Sequence, residues 1–85
     1  MPNKKPHRMT SKQTKMINDA LALHQSGHLD LAETQYKKLL RRLPRNTLLL
    51  KNLGTISIQK GRSAEAISFF EKSLQINLDQ PDTLN

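Results

Sequence analysis

The chain contains no cysteine and no tryptophan, and its aromatic residues are one tyrosine and two phenylalanines. Without cysteine there is no disulfide bond, no thiolate metal ligand and no cysteine nucleophile. So small an aromatic content suits neither a β-sandwich nor a β-barrel core, whereas short amphipathic helices form with few aromatic residues. At 85 residues the chain is long enough for one small domain of modest stability.

Long hydrophobic runs are equally scarce. Apolar stretches such as Leu48 to Leu50 are only a few residues long, far short of the roughly 20 residues that a membrane-spanning helix needs. The basic N-terminal sequence MPNKKPHRMTSK is not followed by a hydrophobic segment of signal-peptide length. We therefore expect a soluble, cytoplasmic protein.

No pattern in the sequence indicates catalysis, a cofactor or a metal ion. There is no glycine-rich phosphate loop and no nucleophile elbow. His24 and His28 are four residues apart, but Gly27 lies between them where a helix should end, and no third zinc ligand is evident. Four acidic residues have ordinary roles at helix caps or on solvent faces: Asp30, Glu33, Glu65 and Glu71. We expect no catalytic residue, no metal site and no cofactor.

Positive charge is concentrated in the first half of the chain. Residues 1–45 hold ten lysines and arginines against three acids, whereas residues 46–85 hold four of each. Within the first half, four basic residues occupy adjacent helical rows: Lys37, Lys38, Arg41 and Arg42. With the basic N-terminal arm they leave open a nucleic-acid or membrane-surface binder. Because no helix-turn-helix signature or aromatic stacking platform accompanies them, a solvated helix face is preferred.

An internal repeat with a step of 34 residues organises the remainder of the chain. Small residues match small ones, glycine matches glycine and aromatic matches aromatic in one register. The matching pairs are Met16 with Leu50, Ala20 with Gly54, Gly27 with Gly61, Ala32 with Ala66 and Tyr36 with Phe70. A mid-helix glycine such as Gly54 costs about 1 kcal/mol relative to alanine, so we expect it to have a packing role.

Apolar spacing and end signals predict four helices. The first runs from about Ser11 to Gln25, behind a capping box formed by Thr10 and Gln13. The second begins near residues 28–30 and is stopped by Pro44. The third is capped by Asn46 or Thr47 and ends at Gly61, and the fourth begins at Ser63. In the fourth helix, the residues expected to face inward are Ala66, Phe70, Leu74 and Ile76.

The period and the order small, glycine, alanine, aromatic resemble the tetratricopeptide repeat. This resemblance implies an all-α fold of tandem helix-turn-helix repeats, stacked as a right-handed α-solenoid fragment. It divides the chain into a disordered basic arm at 1–10, repeats at 11–46 and 47–80, and the start of a truncated third repeat at 81–85. The structural repeat positions are Ala20, Gly27, Ala32, Tyr36, Pro44, Gly54, Gly61, Ala66 and Phe70.

A narrower resemblance points to transferase-linked repeats. The segments LKNLG and PDTLN look like repeats of bacterial proteins related to the O-linked N-acetylglucosamine transferases. The segment ALALHQSGHLDLAETQYKKLL is similar to the leading repeat of bacterial arrays joined to glycosyltransferase or sulfotransferase domains. In the transferases an asparagine of successive repeats binds extended peptide backbone, a role that the resemblance carries to Asn18 and Asn52.

The resemblance thus implies a protein-interaction module that binds an extended partner segment in a concave groove lined by the first helix of each repeat. The groove residues expected are Thr14, Ile17, Asn18, Leu21 and Gln25, followed by Leu48, Lys51, Asn52, Thr55 and Gln59. An alternative is the non-catalytic N-terminal fragment of a glycosyltransferase or sulfotransferase. Apolar residues at the uncapped end, Phe70, Leu74 and Leu84, also suggest self-association.

Overall fold

The structure, a computed structural model, describes residues 10–79. Its elements are four helices and no strand within that range: α1 (Ser11–Gln25), α2 (Leu29–Arg42), α3 (Thr47–Gln59) and α4 (Ser63–Asp79). The expected all-α helical repeat fold is confirmed. The predicted basic arm, apart from Thr10, and the predicted start of a third repeat at 81–85 lie outside the described residues.

Local sequence signals place the start and end of α1. The Thr10 hydroxyl oxygen accepts from the Gln13 backbone N–H at 3.0 Å, and the Gln13 side-chain oxygen accepts from the Thr10 backbone N–H at 3.0 Å. This is the predicted capping box, and it satisfies two of the backbone N–H groups that a helix start leaves unpaired. Beyond the last turn, Gly27 has φ +87°, a left-handed conformation that glycine adopts without steric cost.

The second hairpin is built in the same way, except that α3 begins with a single asparagine cap where α1 begins with a capping box. The Asn46 side-chain oxygen caps α3 by accepting from the Leu49 N–H at 3.0 Å, which decides between the two caps expected from the sequence. Gly61, with φ +76°, turns the chain between α3 and α4 as Gly27 does between α1 and α2. Helix α2 ends at Arg42, two residues before Pro44. The two hairpins therefore share the register that the 34-residue step predicts.

The core is built from α1, α2 and α3 together, with α2 packed between the other two. Its buried cluster consists of Ile17, Ala20, Ala32, Tyr36, Leu39, Leu49, Leu53 and Ile56. Helix α4 packs against α3 and buries Ala66, Ser73 and Ile76 there. Within the described residues, α2 is thus covered on two sides and α4 on one.

The expected inward face of α4 is correct in part. Ala66 and Ile76 are buried against α3 as expected, together with Ser73, which was not expected there. Leu74, expected to face inward, is 59% exposed, and Phe70 is 36% exposed. The Phe70 ring packs on Gly54 of α3 on one side only, and Leu74 remains exposed where the described chain places no further helix.

Candidate functional site

The side chains assigned to a groove from the sequence occupy one face of α1 and one face of α3. We call this surface the α1/α3 face: Thr14, Asn18, Leu21 and Gln25 of α1, with Leu48, Lys51, Asn52, Thr55 and Gln59 of α3. On each helix the spacing of four, seven and eleven residues from the first member keeps the side chains on one side. Leu21 and Asn52 are half-buried, and the remaining members are exposed.

Ile17 does not belong to this face. It was expected among the groove residues, but it is 3% exposed and belongs to the buried cluster that includes Leu49 and Leu53 of α3. An isoleucine side chain gains free energy by leaving water, so it joins the core that α3 completes. A partner bound to the α1/α3 face would not contact Ile17.

A side-chain hydrogen bond joins the last turns of α1 and α3. His24 Nε2 lies 2.8 Å from Gln59 Oε1, and the His24 ring packs edge-on to Tyr36 with ring centroids 6.3 Å apart. The sequence indicated for His24 only an incomplete zinc site, and its contact with Gln59 of the α1/α3 face was not predicted. Its counterpart 34 residues on, Ile58, is an exposed hydrophobic residue that was also missed. The 34-residue repeat places His24 and Ile58 at equivalent positions, and this equivalence was the signal that could have drawn attention to both residues.

The two asparagines differ in environment. Asn18 is exposed, whereas the Nδ2 atom of Asn52 is buried and has no hydrogen-bond partner within residues 10–79. A buried donor left unpaired costs about 1–3 kcal/mol. A primary amide can donate to a carbonyl and accept from an N–H, which are the two groups that an extended backbone presents.

Several other polar side chains of α1 and α3 are satisfied locally. The Thr55 hydroxyl donates to the Lys51 carbonyl at 3.1 Å. Asp19, whose repeat counterpart is the apolar Leu53, is exposed and pairs with Lys15 at 3.3 Å. The α1/α3 face therefore offers amides, hydroxyls, apolar groups and one cation. It is suited to binding a chain segment, and it presents no nucleophile with an adjacent base.

A cluster of charges holds the inter-repeat arrangement in place. Glu33 of α2 is 8% exposed, and its carboxylate accepts from Lys60 at 3.1 Å and from Arg62 at 3.0 Å. Lys60 also donates to Asp30, and Lys37 lies 3.3 Å from Glu33 on its own helix. Because Lys60 and Arg62 lie beyond the end of α3, these bonds tie the α3–α4 turn to α2.

Ionisation in this cluster follows from its contacts. Burial by itself raises the pKa of Glu33, but hydrogen bonds from Lys60 and Lys37 and the charges of both lysines outweigh it and lower that pKa below its ordinary value. The hydrogen bond from Lys60 and its positive charge lower the pKa of Asp30. Hydrogen bonds to Asp30 and Glu33 raise the pKa of Lys60. All three groups are therefore charged near neutral pH.

Neither a metal site nor a membrane span is found in the part of the chain that the structure describes. Residues 10–79 hold no group of three or more histidine, cysteine or acidic residues placed to bind a metal ion. None of the helices described is both long enough and apolar enough to cross a bilayer.

Comparison with known proteins gives one match to a family model. Residues 51–80 match the family model of the tetratricopeptide repeat, a range that covers most of α3 and all of α4. Repeats of this family generally mediate protein–protein interactions and are generally not catalytic. No curated protein and no solved structure matches the chain. The narrower relationship to glycosyltransferase or sulfotransferase arrays therefore stays a prediction.

Proposed function

We propose that the protein is an interaction module that binds an extended segment of a protein partner across the α1/α3 face. In this proposal residues 11–46 and 47–80 are two successive tetratricopeptide repeats. The observation that supports it most is the equivalence of the two rows of side chains: Asn18 and Gln25 of α1 recur 34 residues later as Asn52 and Gln59 of α3. Equivalent amides on successive helices are suited to equivalent groups along a partner backbone.

Geometry favours an extended segment over a helical one. The hydrogen bond between His24 and Gln59 makes α1 and α3 neighbours at their last turns. A segment that crosses from α1 to α3 must present free backbone groups to the amides of both Asn18 and Asn52. An extended chain leaves its N–H and C=O groups free for this, whereas a helix uses them internally.

The other members of the face define what the partner side chains should be. Leu48 is 44% exposed, so it offers an apolar contact in the first turn of α3. Lys51 is exposed and makes no ion pair within residues 10–79, so it favours an acidic group on the partner. The preferred segment is therefore extended, with apolar residues and at least one carboxylate.

The test uses a peptide selected from a displayed random-peptide library against the whole chain. Its affinity is compared between Asn18→Ala/Asn52→Ala and a control, Gln75→Ala/Asn77→Ala, which removes two exposed amides of α4. Loss of two peptide-backbone hydrogen bonds should weaken binding at least about fivefold, since each contributes roughly 0.5–1.5 kcal/mol. The control should stay within about twofold.

Three results contradict the proposal. The library could yield no binder to the folded chain, the two double variants could lose affinity equally, or the selected peptides could be bound with full affinity by the asparagine variant. A helical signal in the bound peptide would contradict the extended conformation specifically, leaving the location of the site to the variants.

Self-association is a second candidate, supported by the exposed stripe on α4. The stripe consists of Ile67, Phe70, Leu74 and Leu78, of which Ile67, Leu74 and Leu78 are more than half exposed. We propose a second copy of the chain as its occupant. A two-fold pairing of antiparallel α4 helices matches the stripe with itself, placing Ile67 near Leu78 of the other copy and Phe70 near Leu74, as an isologous interface requires.

Sedimentation of matched variants tests this pairing. Leu74→Glu buries a charge in the proposed dimer and should shift the chain to a monomer. Leu31→Glu is the control, because Leu31 on α2 is 58% exposed against 59% for Leu74. Equal effects of the two variants, or a wild-type chain that is monomeric at high concentration, would contradict self-association and indicate that another segment covers the stripe.

A further inference from the structure

A cleft opens between the start of α1 and the end of α2, away from the residues of the α1/α3 face. Its volume is about 430 Å³, within the range of roughly 300–1,000 Å³ typical of sites for small ligands. It is lined by Thr10, Lys12, Gln13, Met16, Lys38, Leu39, Arg41 and Arg42. Four of these eight residues are cations and none is an acid.

The cations of the cleft have no carboxylate partner within residues 10–79. Lys12, Lys38, Arg41 and Arg42 appear in none of the ion pairs formed there. The acids that do pair lie elsewhere: Asp30, Glu33 and Glu65 with Lys37, Lys60 and Arg62, and Asp19 with Lys15. Uncompensated like charges in one cleft repel each other, a cost that a bound anion removes.

The first turn of α1 adds to this positive potential. It contains no acidic residue, whereas α2 and α4 carry Asp30 and Glu65 in theirs. The side chains of Thr10 and Gln13 are engaged in the capping box. Contacts to a ligand would therefore come mainly from the four cations. The partial positive charge at the start of α1, from the helix dipole, would add a weaker attraction for an anion.

We propose that this cleft binds a compact anion bearing two or more phosphate groups. Arginine presents a planar fork of N–H donors that matches phosphate oxygens two at a time, and lysine acts as a point charge. Four cations around one cleft match more charge than a single phosphate carries. No aromatic side chain lines the cleft for stacking against a base, which favours a compact oligophosphate over a nucleic-acid strand.

Two sources could supply these phosphates, a soluble oligophosphate or a phosphoinositide headgroup at a membrane surface. Titration calorimetry of the whole chain with sodium tripolyphosphate and with sodium orthophosphate, at constant ionic strength, measures the shared chemistry. Co-sedimentation with phosphatidylcholine vesicles carrying a phosphoinositide, against vesicles of equal charge carrying phosphatidylserine, identifies the membrane source. Tripolyphosphate should bind at least about tenfold more tightly than orthophosphate, because more charge-assisted hydrogen bonds form.

A charge-matched pair of variants distinguishes binding in the cleft from general attraction of anions to a basic protein. Lys38→Gln/Arg42→Gln removes two cleft cations, and Arg45→Gln/Lys72→Gln removes one arginine and one lysine that are exposed and do not line the cleft. The cleft variant should lose at least about tenfold in tripolyphosphate affinity, while the control should lose less than about twofold. Neither variant should unfold the chain, since the replaced side chains make no ion pair within residues 10–79.

Three outcomes would overturn the proposal. Both double variants could weaken binding equally, orthophosphate and tripolyphosphate could bind alike, or duplex DNA could bind the cleft variant and the wild type with equal affinity while tripolyphosphate binds neither. Each of these results would assign the basic residues to non-specific attraction of anions.

Discussion

The ring of Phe70 on α4 lies directly over Gly54 on α3. A Cβ atom added to Gly54 would lie 2.7 Å from Cε1 and Cζ of that ring, closer than packed carbon atoms can approach. The packing role expected for Gly54 is therefore contact with an aromatic side chain of its own hairpin. Phe70 is a repeat counterpart of Tyr36, and Gly54 is the counterpart of Ala20, so the same crossing is built from different residues in the two hairpins.

The first prediction concerns this contact. Gly54→Ala should destabilise the wild-type chain by about 1 kcal/mol, because overpacking against Phe70 costs about 1–3 kcal/mol and outweighs the helix propensity gained. In a Phe70→Ala background the same substitution should stabilise the chain by about 0.5–1 kcal/mol, since only the propensity gain remains. Urea unfolding of the four chains measures both values. If Gly54→Ala changes the free energy of unfolding with the same sign in both backgrounds, the Phe70 ring does not determine which residue is tolerated at position 54.

The second prediction concerns the carboxylate of Glu33. Glu33→Gln should destabilise the chain by about 1–2 kcal/mol at neutral pH, because Lys60 and Arg62 lose a partly buried anionic partner. Glu71→Gln is the control, since Glu71 is exposed and makes no ion pair among the described residues. Its effect should be within about 0.5 kcal/mol. Equal losses for the two variants would argue against the cluster.

The third prediction is the pH dependence of the same cluster. The pKa of Glu33 is lowered by folding, so its stabilisation is fully present above the ordinary glutamate pKa of about 4.3 and is lost as pH falls through the folded value. The pKa of Lys60 is raised, so its contribution is present below the ordinary lysine pKa of about 10.4 and is lost as pH rises through its folded value. The free energy of unfolding should therefore fall at both low and high pH. In Glu33→Gln, the fall at low pH should be smaller. If the stability of that variant falls at low pH as much as that of the wild type, groups other than Glu33 cause the loss.

The fourth prediction concerns the turn between α3 and α4. Gly61 has φ +76°, and no atom lies within 4 Å of the Cβ that a substitution would add. Gly61→Ala should therefore cost about 1–2 kcal/mol from backbone conformation alone. Gly61→Asn should cost less, because asparagine tolerates the left-handed region better. Thermal unfolding distinguishes the two, and a larger loss for asparagine would contradict a purely conformational cost.

Local signals in the sequence predicted most of the fold. The capping box at Thr10, the Asn46 cap and the left-handed Gly27 and Gly61 depend on neighbours a few residues away, so pattern and spacing are sufficient to place them. The register of the two hairpins followed from the repeat step alone. These signals were sufficient to predict the positions of the four helices. They also predicted which side of a helix is buried, wherever another helix packs against that side.

Tertiary packing decided what the sequence could not. Ile17 resembles a groove residue by position but is buried because α3 completes the core around it. Leu74 resembles a core residue by position but is exposed where the described chain places no helix over it. The pairing of Glu33 with Lys60 joins residues 27 positions apart, a contact that helical periodicity does not encode. Helical spacing therefore placed nine of the ten expected groove residues on one face of each helix but did not predict the burial of Ile17, and their role in binding stays a prediction.

The most direct measurement of the proposed function is a titration of the isotope-labelled chain with the selected peptide, followed by amide NMR. The side-chain NH₂ signals of Asn18 and Asn52, assigned through their alanine variants, should show the largest shifts, together with backbone signals along the α1/α3 face. Shifts confined to the α4 stripe or to the basic cleft, with both asparagine signals unchanged, would contradict the account.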